Sequence, residues 1–201
     1  ASYNIAVGFE AMTANTTGTR NLAIGKSAYT ASDTENDNLA IGYEALTTNT
    51  TGAQNTAVGR VALQLNTTGN NNVAIGRNAL QANTTAADNT AVGTDALKVN
   101  TTGASNTAVG AYALDANTTA DNNSAFGWGA LGGNSTGSEN TAVGKEALNT
   151  NNGSNNSAFG VTALYANTKG ASNTAVGQSA LKDNTTAAYN DSRTGLVGFL
   201  A

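Results

Sequence analysis

The side chains able to do chemistry in this chain are few, and their kinds exclude more than they suggest. There is no His and no Cys, so no Ser-His-Asp or Cys-His arrangement can form and no metal site can rest on imidazole or thiolate. Carboxylates remain. Glu10, Glu44, Asp95 and Glu146 lie far apart along the chain, which does not suit a pair flanking a glycosidic bond. Asp33, Glu35 and Asp37 crowd into one loop, Ser32 to Asn38. Clustered carboxylate oxygens suit Ca²⁺, but a solvated loop is the simpler reading, and neither an EF-hand loop nor a Gly-Gly-x-Gly-x-Asp nonapeptide occurs. The expectation is a protein that is not an enzyme, with no cofactor and no metal ion.

What positions these residues is a repeat. The motif Asn-Thr-Ala-Val-Gly-x-x-Ala-Leu-x-x-Asn-Thr-Thr-Gly-x-x recurs along the chain, its glycine stepping by 17 residues from Gly8 to Gly177 except for one step of 16, Gly144 to Gly160. A short fixed period marks each unit as one coil of a solenoid, too small to bury its apolar face alone. With the Asn numbered slot 1 and the Gly slot 5, slot 4 is always Val, Ile or Phe, and slot 9 is Met12, Tyr29 and then Leu in every later coil. β-branched residues at slot 4 favour strand over helix. The reading is an all-β, parallel β-solenoid of about eleven 17-residue coils over residues 1–190, with two short strands per coil and residues 191–201 as a cap or connector. Residues alternate sides along a strand, so slots 2, 4, 9 and 11 are expected to point inward. Val58, Leu63, Val92, Leu97, Val109 and Leu114 represent that core.

Slots 3 and 8 are Ala in all eleven coils. Slot 3 has the opposite parity to slots 2 and 4 and is therefore expected to face outward. A solvated face accepts Lys, Glu or Thr, so restriction to Ala suggests close packing by another chain. Ala6, Ala23, Ala40, Ala57, Ala74, Ala91, Ala108, Ala125, Ala142, Ala158 and Ala175 are thus the candidate oligomer interface. Slot 5 glycine marks a backbone bend, and the Asn of slots 1 and 12 are expected to stack as ladders. Asn-Thr-Thr at slots 12 to 14 is formally a glycosylation sequon, explained first by turn chemistry. Tyr112 and Trp128 fall on neighbouring coils at adjacent slots and form a candidate sugar-stacking platform.

Composition fits a thin core repeated many times. Only 11% of residues are charged and 5% aromatic, with no Pro, against about 25% charged in an average domain. The net charge is −4 and the basic residues are dispersed, which argues against nucleic-acid binding. No apolar run reaches the roughly 20 residues that span a bilayer. The first residues already lie inside a repeat, so the expectation is a mature product or a segment of something longer.

The run Asn72-Val73-Ala74-Ile75-Gly76-Arg77-Asn78-Ala79 resembles the head repeats of trimeric autotransporter adhesins and the Asn-Thr-Ala-Val-Gly arrays of phage tail-fibre proteins. The resemblance covers about Ser2 to Thr186. It implies a left-handed β-roll, three chains about one axis, and an adhesive or receptor-binding role outside the cell, on a cell surface or virion. The coil departs from the adhesin pattern by its longer period and extra Asn-Thr-Thr-Gly loop. Val-Gly-x-x-Ala also fits the hexapeptide repeat of left-handed β-helix acyltransferases, but those place about three hexads per coil and use a catalytic His. The expected function is a structural and adhesive fibre segment whose partner is itself and a cell-surface glycan or protein receptor. Alternatives are an end-to-end extracellular filament and an ice-binding solenoid; the inward assignment of slot 2 disfavours the last.

Overall fold

The computed structural model describes residues 2–32 and 34–188. Within them the chain is an all-β solenoid with no helix. Each coil contributes one three-residue strand: Ile5–Val7 (β1), Leu22–Ile24 (β2), Leu39–Ile41 (β3), Thr56–Val58 (β4), Val73–Ile75 (β5), Thr90–Val92 (β6), Thr107–Val109 (β7), Ser124–Phe126 (β8), Thr141–Val143 (β9), Ser157–Phe159 (β10) and Thr174–Val176 (β11). They form one all-parallel sheet in chain order, β1 to β11. Equivalent slots pair throughout, as Thr90↔Thr107, Ala91↔Ala108 and Val92↔Val109. The short coil keeps this register, with Ser157 opposite Thr141, so its missing residue is lost from the loop. The expected cap over 191–201 lies outside the described residues.

The second strand expected in each coil does not form. Slots 7 and 9 are both left-handed: φ is 49 to 55° at every slot 9 residue from Met12 to Leu181, and 50 to 59° at the non-glycine slot 7 residues. A strand cannot be built from such residues. Slots 5 to 8 instead make a tight turn, closed by Ala62 N–H donating to Gly59 O at 3.4 Å, and slots 9 to 12 make another, with Asn66 N–H donating to Leu63 O at 3.2 Å. These turns still stack coil on coil. Leu63 N–H donates to Ala79 O at 3.0 Å and Val61 N–H to Tyr43 O at 2.9 Å. Left-handed backbone costs an L-residue about 1–2 kcal/mol, which burial of the slot 9 leucine offsets, at about 1.5–3 kcal/mol per side chain.

The interior is the reverse of the sequence expectation along the strand. Ala23, Ala40, Ala57 and each later slot 3 alanine through Ala175 are fully buried, so they line their own coil and do not face a neighbouring chain; Ala6, in the first coil, is exposed. Slots 2 and 4 point outward. Val58 and Val92 are half-buried, and Val109 is 37% exposed. Leu63, Leu97 and Leu114 are fully buried. The physical reason is room. Each coil's interior holds two alanines, one leucine and two asparagines, and a β-branched side chain at slot 3 would collide with them. Glycine at slot 5 answers the same crowding: at Gly59 φ is +137°, and a Cβ would lie 2.4 Å from the carbonyl oxygen of Gly76.

The asparagines form two buried columns. In the slot 1 column, Asn89 N–H donates to Asn72 Oδ1 at 3.0 Å, Asn106 N–H donates to Asn89 Oδ1 at 2.9 Å, and Asn89 Nδ2 donates to Gly103 O at 2.9 Å. In the slot 12 column, Asn83 Nδ2 donates to Asn66 Oδ1 at 2.8 Å and to Ala86 O at 3.0 Å. These amides therefore satisfy their own desolvated donors and tie coil to coil, with Asn123 Nδ2 the exception among the described residues. Asn49, Asn66, Asn83, Asn100, Asn117 and Asn134 are fully buried in this column, so a sugar-coated edge at these sequons is incompatible with the folded coil.

One coil departs from the pattern in a compensated way. Tyr29 replaces the slot 9 leucine and Ser32 the slot 12 asparagine, a larger residue beside a smaller one. The Tyr29 phenol oxygen lies 2.8 Å from Ser32 Oγ and accepts a bond from Asn38 Nδ2 at 2.8 Å. Glu35 stands at slot 15, mostly Gly or Ala elsewhere, and turns inward to accept bonds from Ser32 Oγ, Thr34 Oγ1 and Thr34 N–H. Burial pushes the Glu35 carboxyl up, but these bonds together outweigh it and hold the group below its ordinary range. Burial pushes the Tyr29 phenol up.

Candidate functional site

Two surfaces stand out from the regular coil. The first is the outer face of the sheet. Slot 4 presents Val, Ile or Phe from every coil, with Ile24 37%, Ile75 41%, Phe126 41% and Phe159 41% exposed. Slot 2 adds Leu22, Leu39 and Val73, and Thr or Ser from the other coils beyond β1. No charged residue occupies either slot. Strands stack about 4.8 Å apart and rise about 3.3 Å per residue, so the face is a strip about 50 Å by 10 Å. Slot 4 makes a continuous apolar row along it, beside a slot 2 row that is mostly Thr or Ser.

The second surface is the turn edge at slots 6, 7 and 10. Slot 6 alternates cations with aromatics at one end of the rod: Lys26 Nζ sits 5.9 Å from the ring centroids of Phe9 and Tyr43, and Arg60 lies 5.7 Å from Tyr43. Such contacts are worth about 0.5–1 kcal/mol each at exposed sites. Farther along, Tyr112 and Trp128 come together as the sequence suggested. Their centroids are 5.9 Å apart at 72°, an edge-to-face pair, and Lys145 Nζ stands 5.4 Å over the indole. They border a groove of about 440 Å³ floored by Gly129, Gly132 and Gly133, with Asp115, Glu146 and Asn149 on its walls. Burial, helped by the charge of Asp95, pushes the Asp115 carboxyl up. The sequence reading found the two aromatics and missed the groove; the signal was three glycines within five residues of a repeat that elsewhere carries side chains there.

The two described carboxylates of the acidic loop are engaged within the protein. Glu35 turns inward, Asp37 is drawn to Arg20 at 2.6 Å, and Asp33 lies outside the described residues. Among the described residues no group of three or more acidic side chains could hold a metal ion, and no helix is long and apolar enough to cross a membrane. Glu10, Glu44 and Glu146 share slot 7 on separate coils, and Asp95 at the same slot pairs with Arg77 at 3.5 Å and Lys98 at 3.9 Å.

No protein family, no curated protein and no solved structure matches this chain.

Proposed function

We propose that the protein is a rigid structural rod that packs against copies of itself through the outer face of its sheet and serves as an attachment segment on a cell surface or virion. The single observation that carries this reading is the uncharged strip of slot 2 and slot 4 side chains. It runs the length of the sheet and turns outward the Val, Ile and Phe of slot 4, which a lone chain would bury. An identical face is the partner of matching chemistry, since the strip offers no charge to recognise a charged surface and presents the same apolar row to its like. The coil's interior is thin, so association supplies burial that one chain lacks. The resemblance to adhesin and tail-fibre repeats makes three chains the expected number and an extracellular surface the expected setting.

Light scattering across a wide concentration range tests the proposal. The intact chain should hold one oligomeric mass, and Val92→Lys, Val109→Lys and Val143→Lys together should release folded monomers. A chain that stays monomeric with the face intact refutes it, and open-ended polymers would favour the filament alternative.

A second reading has an observation behind it. Thr56, Thr90, Thr107, Thr141 and Thr174 turn outward on this face, each two residues before a valine. That regular Thr-x-Val spacing suits ordered water at an ice surface. Leu22, Leu39 and Val73 break the threonine column, and the rings of Phe126 and Phe159 interrupt its flatness, so self-association accounts for more of the face. Thermal hysteresis measured on monomeric protein decides between the two.

A further inference from the structure

Two of the three glycines of the eighth coil, Gly129 and Gly132, stand where the adjoining coils carry side chains; Gly133 has a backbone reason, since a Cβ there would lie 2.7 Å from Asn149 O. Gly129 occupies slot 7 at φ +61°, but Glu146 and Tyr112 occupy the same slot in the adjoining coils at 55° and 59°. Gly132 and Gly133 do not have positive φ. Their slots hold Asp115 and Ala116 one coil before, and Asn149 and Thr150 one coil after. Gly129 and Gly132 therefore lack side chains that the adjoining coils carry at these slots. A side chain here would fill the gap between polar groups: a Cβ at Gly132 would crowd Asn149 Nδ2 and Gly129 O, both at 3.1 Å, and Asp115 Oδ1 at 3.3 Å.

From this we infer that the groove is a binding site for a neutral pyranose sugar. The inference rests on the attachment reading and gives it a ligand class and a location. A pyranose has an apolar C–H face and a rim of hydroxyls. Trp128, 48% exposed, and Tyr112, 39% exposed, supply ring surface at the mouth, with the indole fixed by its edge contact to Tyr112 and by Lys145 above it. Asp115 and Glu146 supply acceptors for hydroxyl protons. Asn149 Nδ2 donates to Gly129 O at 3.0 Å, which fixes the amide and leaves its second hydrogen for a hydroxyl oxygen. Two carboxylates on the walls disfavour an acidic sugar. The volume lies within the roughly 300–1,000 Å³ range of small-molecule sites.

Trp128 is the chain's one tryptophan, so its fluorescence reports the site directly. The full chain is titrated with neutral oligosaccharides of glucose, galactose and N-acetylglucosamine, with sialyllactose and choline as comparison ligands. At least one neutral sugar should shift the emission saturably. Gly132→Gln, which introduces the residue found at the same slot as Gln64 and Gln81, should weaken it at least about tenfold. Tyr112→Ala should weaken it likewise. No saturable change with any neutral sugar, equal binding by Gly132→Gln, or a response to choline or sialyllactose alone overturns the assignment. Light scattering on the same variants keeps the two readings apart: the groove lies off the sheet face, so loss of sugar binding with unchanged mass touches only the groove, and a monomeric chain that still binds sugar touches only the assembly.

Discussion

Replacing one amide in the slot 1 column by a carboxyl should make the stability of the whole rod depend on pH in a definite direction. Asn89 is fully buried; its Oδ1 accepts from Asn106 N–H and its Nδ2 donates to Gly103 O, both at 2.9 Å. In Asn89→Asp the first bond survives and the second becomes an ionised oxygen facing a carbonyl oxygen. The protonated acid can still donate to Gly103 O, so the neutral form fits and the charged form does not. The folded pKa of the new carboxyl is therefore raised above its ordinary value of about 3.9. Below that value both states bind the proton and the substitution costs little. As pH rises above it, the unfolded chain ionises while the folded one resists, and stability falls by about 1.4 kcal/mol per pH unit until the folded pKa is reached. A folded pKa near 7 makes the loss about 4 kcal/mol at neutral pH. Urea unfolding followed by circular dichroism should show the variant within about 1 kcal/mol of the natural chain at about pH 3.5 and about 4 kcal/mol weaker at about pH 7. A loss of the same size at both pH values, or none at neutral pH, would refute the amide ladder as drawn.

Other outcomes follow from the same packing. Ala108→Val forces two extra carbons into a filled interior and should cost about 1–3 kcal/mol or more in thermal melts, whereas Val109→Thr on the outer face should change a monomer's stability by no more than about 0.5 kcal/mol. Leu114→Ala should cost about 2–5 kcal/mol by urea unfolding. Thr162 holds a left-handed backbone with φ 54°, so Thr162→Asn should raise the melting midpoint, by up to about 1 kcal/mol of stability. Glu35 has a folded pKa below its ordinary range, so its contribution is present above that range and fades as pH falls through the folded value; Glu35→Gln should flatten the acid limb of an unfolding titration relative to the natural chain.

The repeat carried the architecture plainly. A fixed period with glycine and leucine in constant slots requires a stacked coil, and the 16-residue step keeps its strand register. The side-to-side assignment is not legible from apolar character, which here does not mean inwardness. Slot 4 is always Val, Ile or Phe, yet it faces out. Slot 3, always Ala, faces in. The better signal is variability: slot 2 admits Ile, Leu, Val, Thr and Ser, as an open face does, while the constant Ala of slot 3 and the constant Asn of slot 1 mark a filled interior. The missing second strand had no signal in propensity, since Leu at slot 9 gives no hint of left-handed backbone. Only the stacking of whole turns makes that conformation worth its cost. The groove is half legible, because Tyr112 and Trp128 name themselves, whereas the meaning of Gly129 and Gly132 depends on knowing that the adjoining coils carry side chains at these slots.

A chain without cysteine allows the inside and outside of the coil to be read directly. Single cysteines at Thr107, Ala108 and Val109, three successive residues of β7, can be timed against a soluble maleimide under folding conditions. In the dissociated chain, positions 107 and 109 should react at close to the rate of an unfolded control and position 108 should be protected. In the assembled protein, 107 and 109 should become protected as well. Fast labelling at 108 with protection at 107 and 109 in the dissociated chain would contradict the outward sheet face on which the proposed assembly depends.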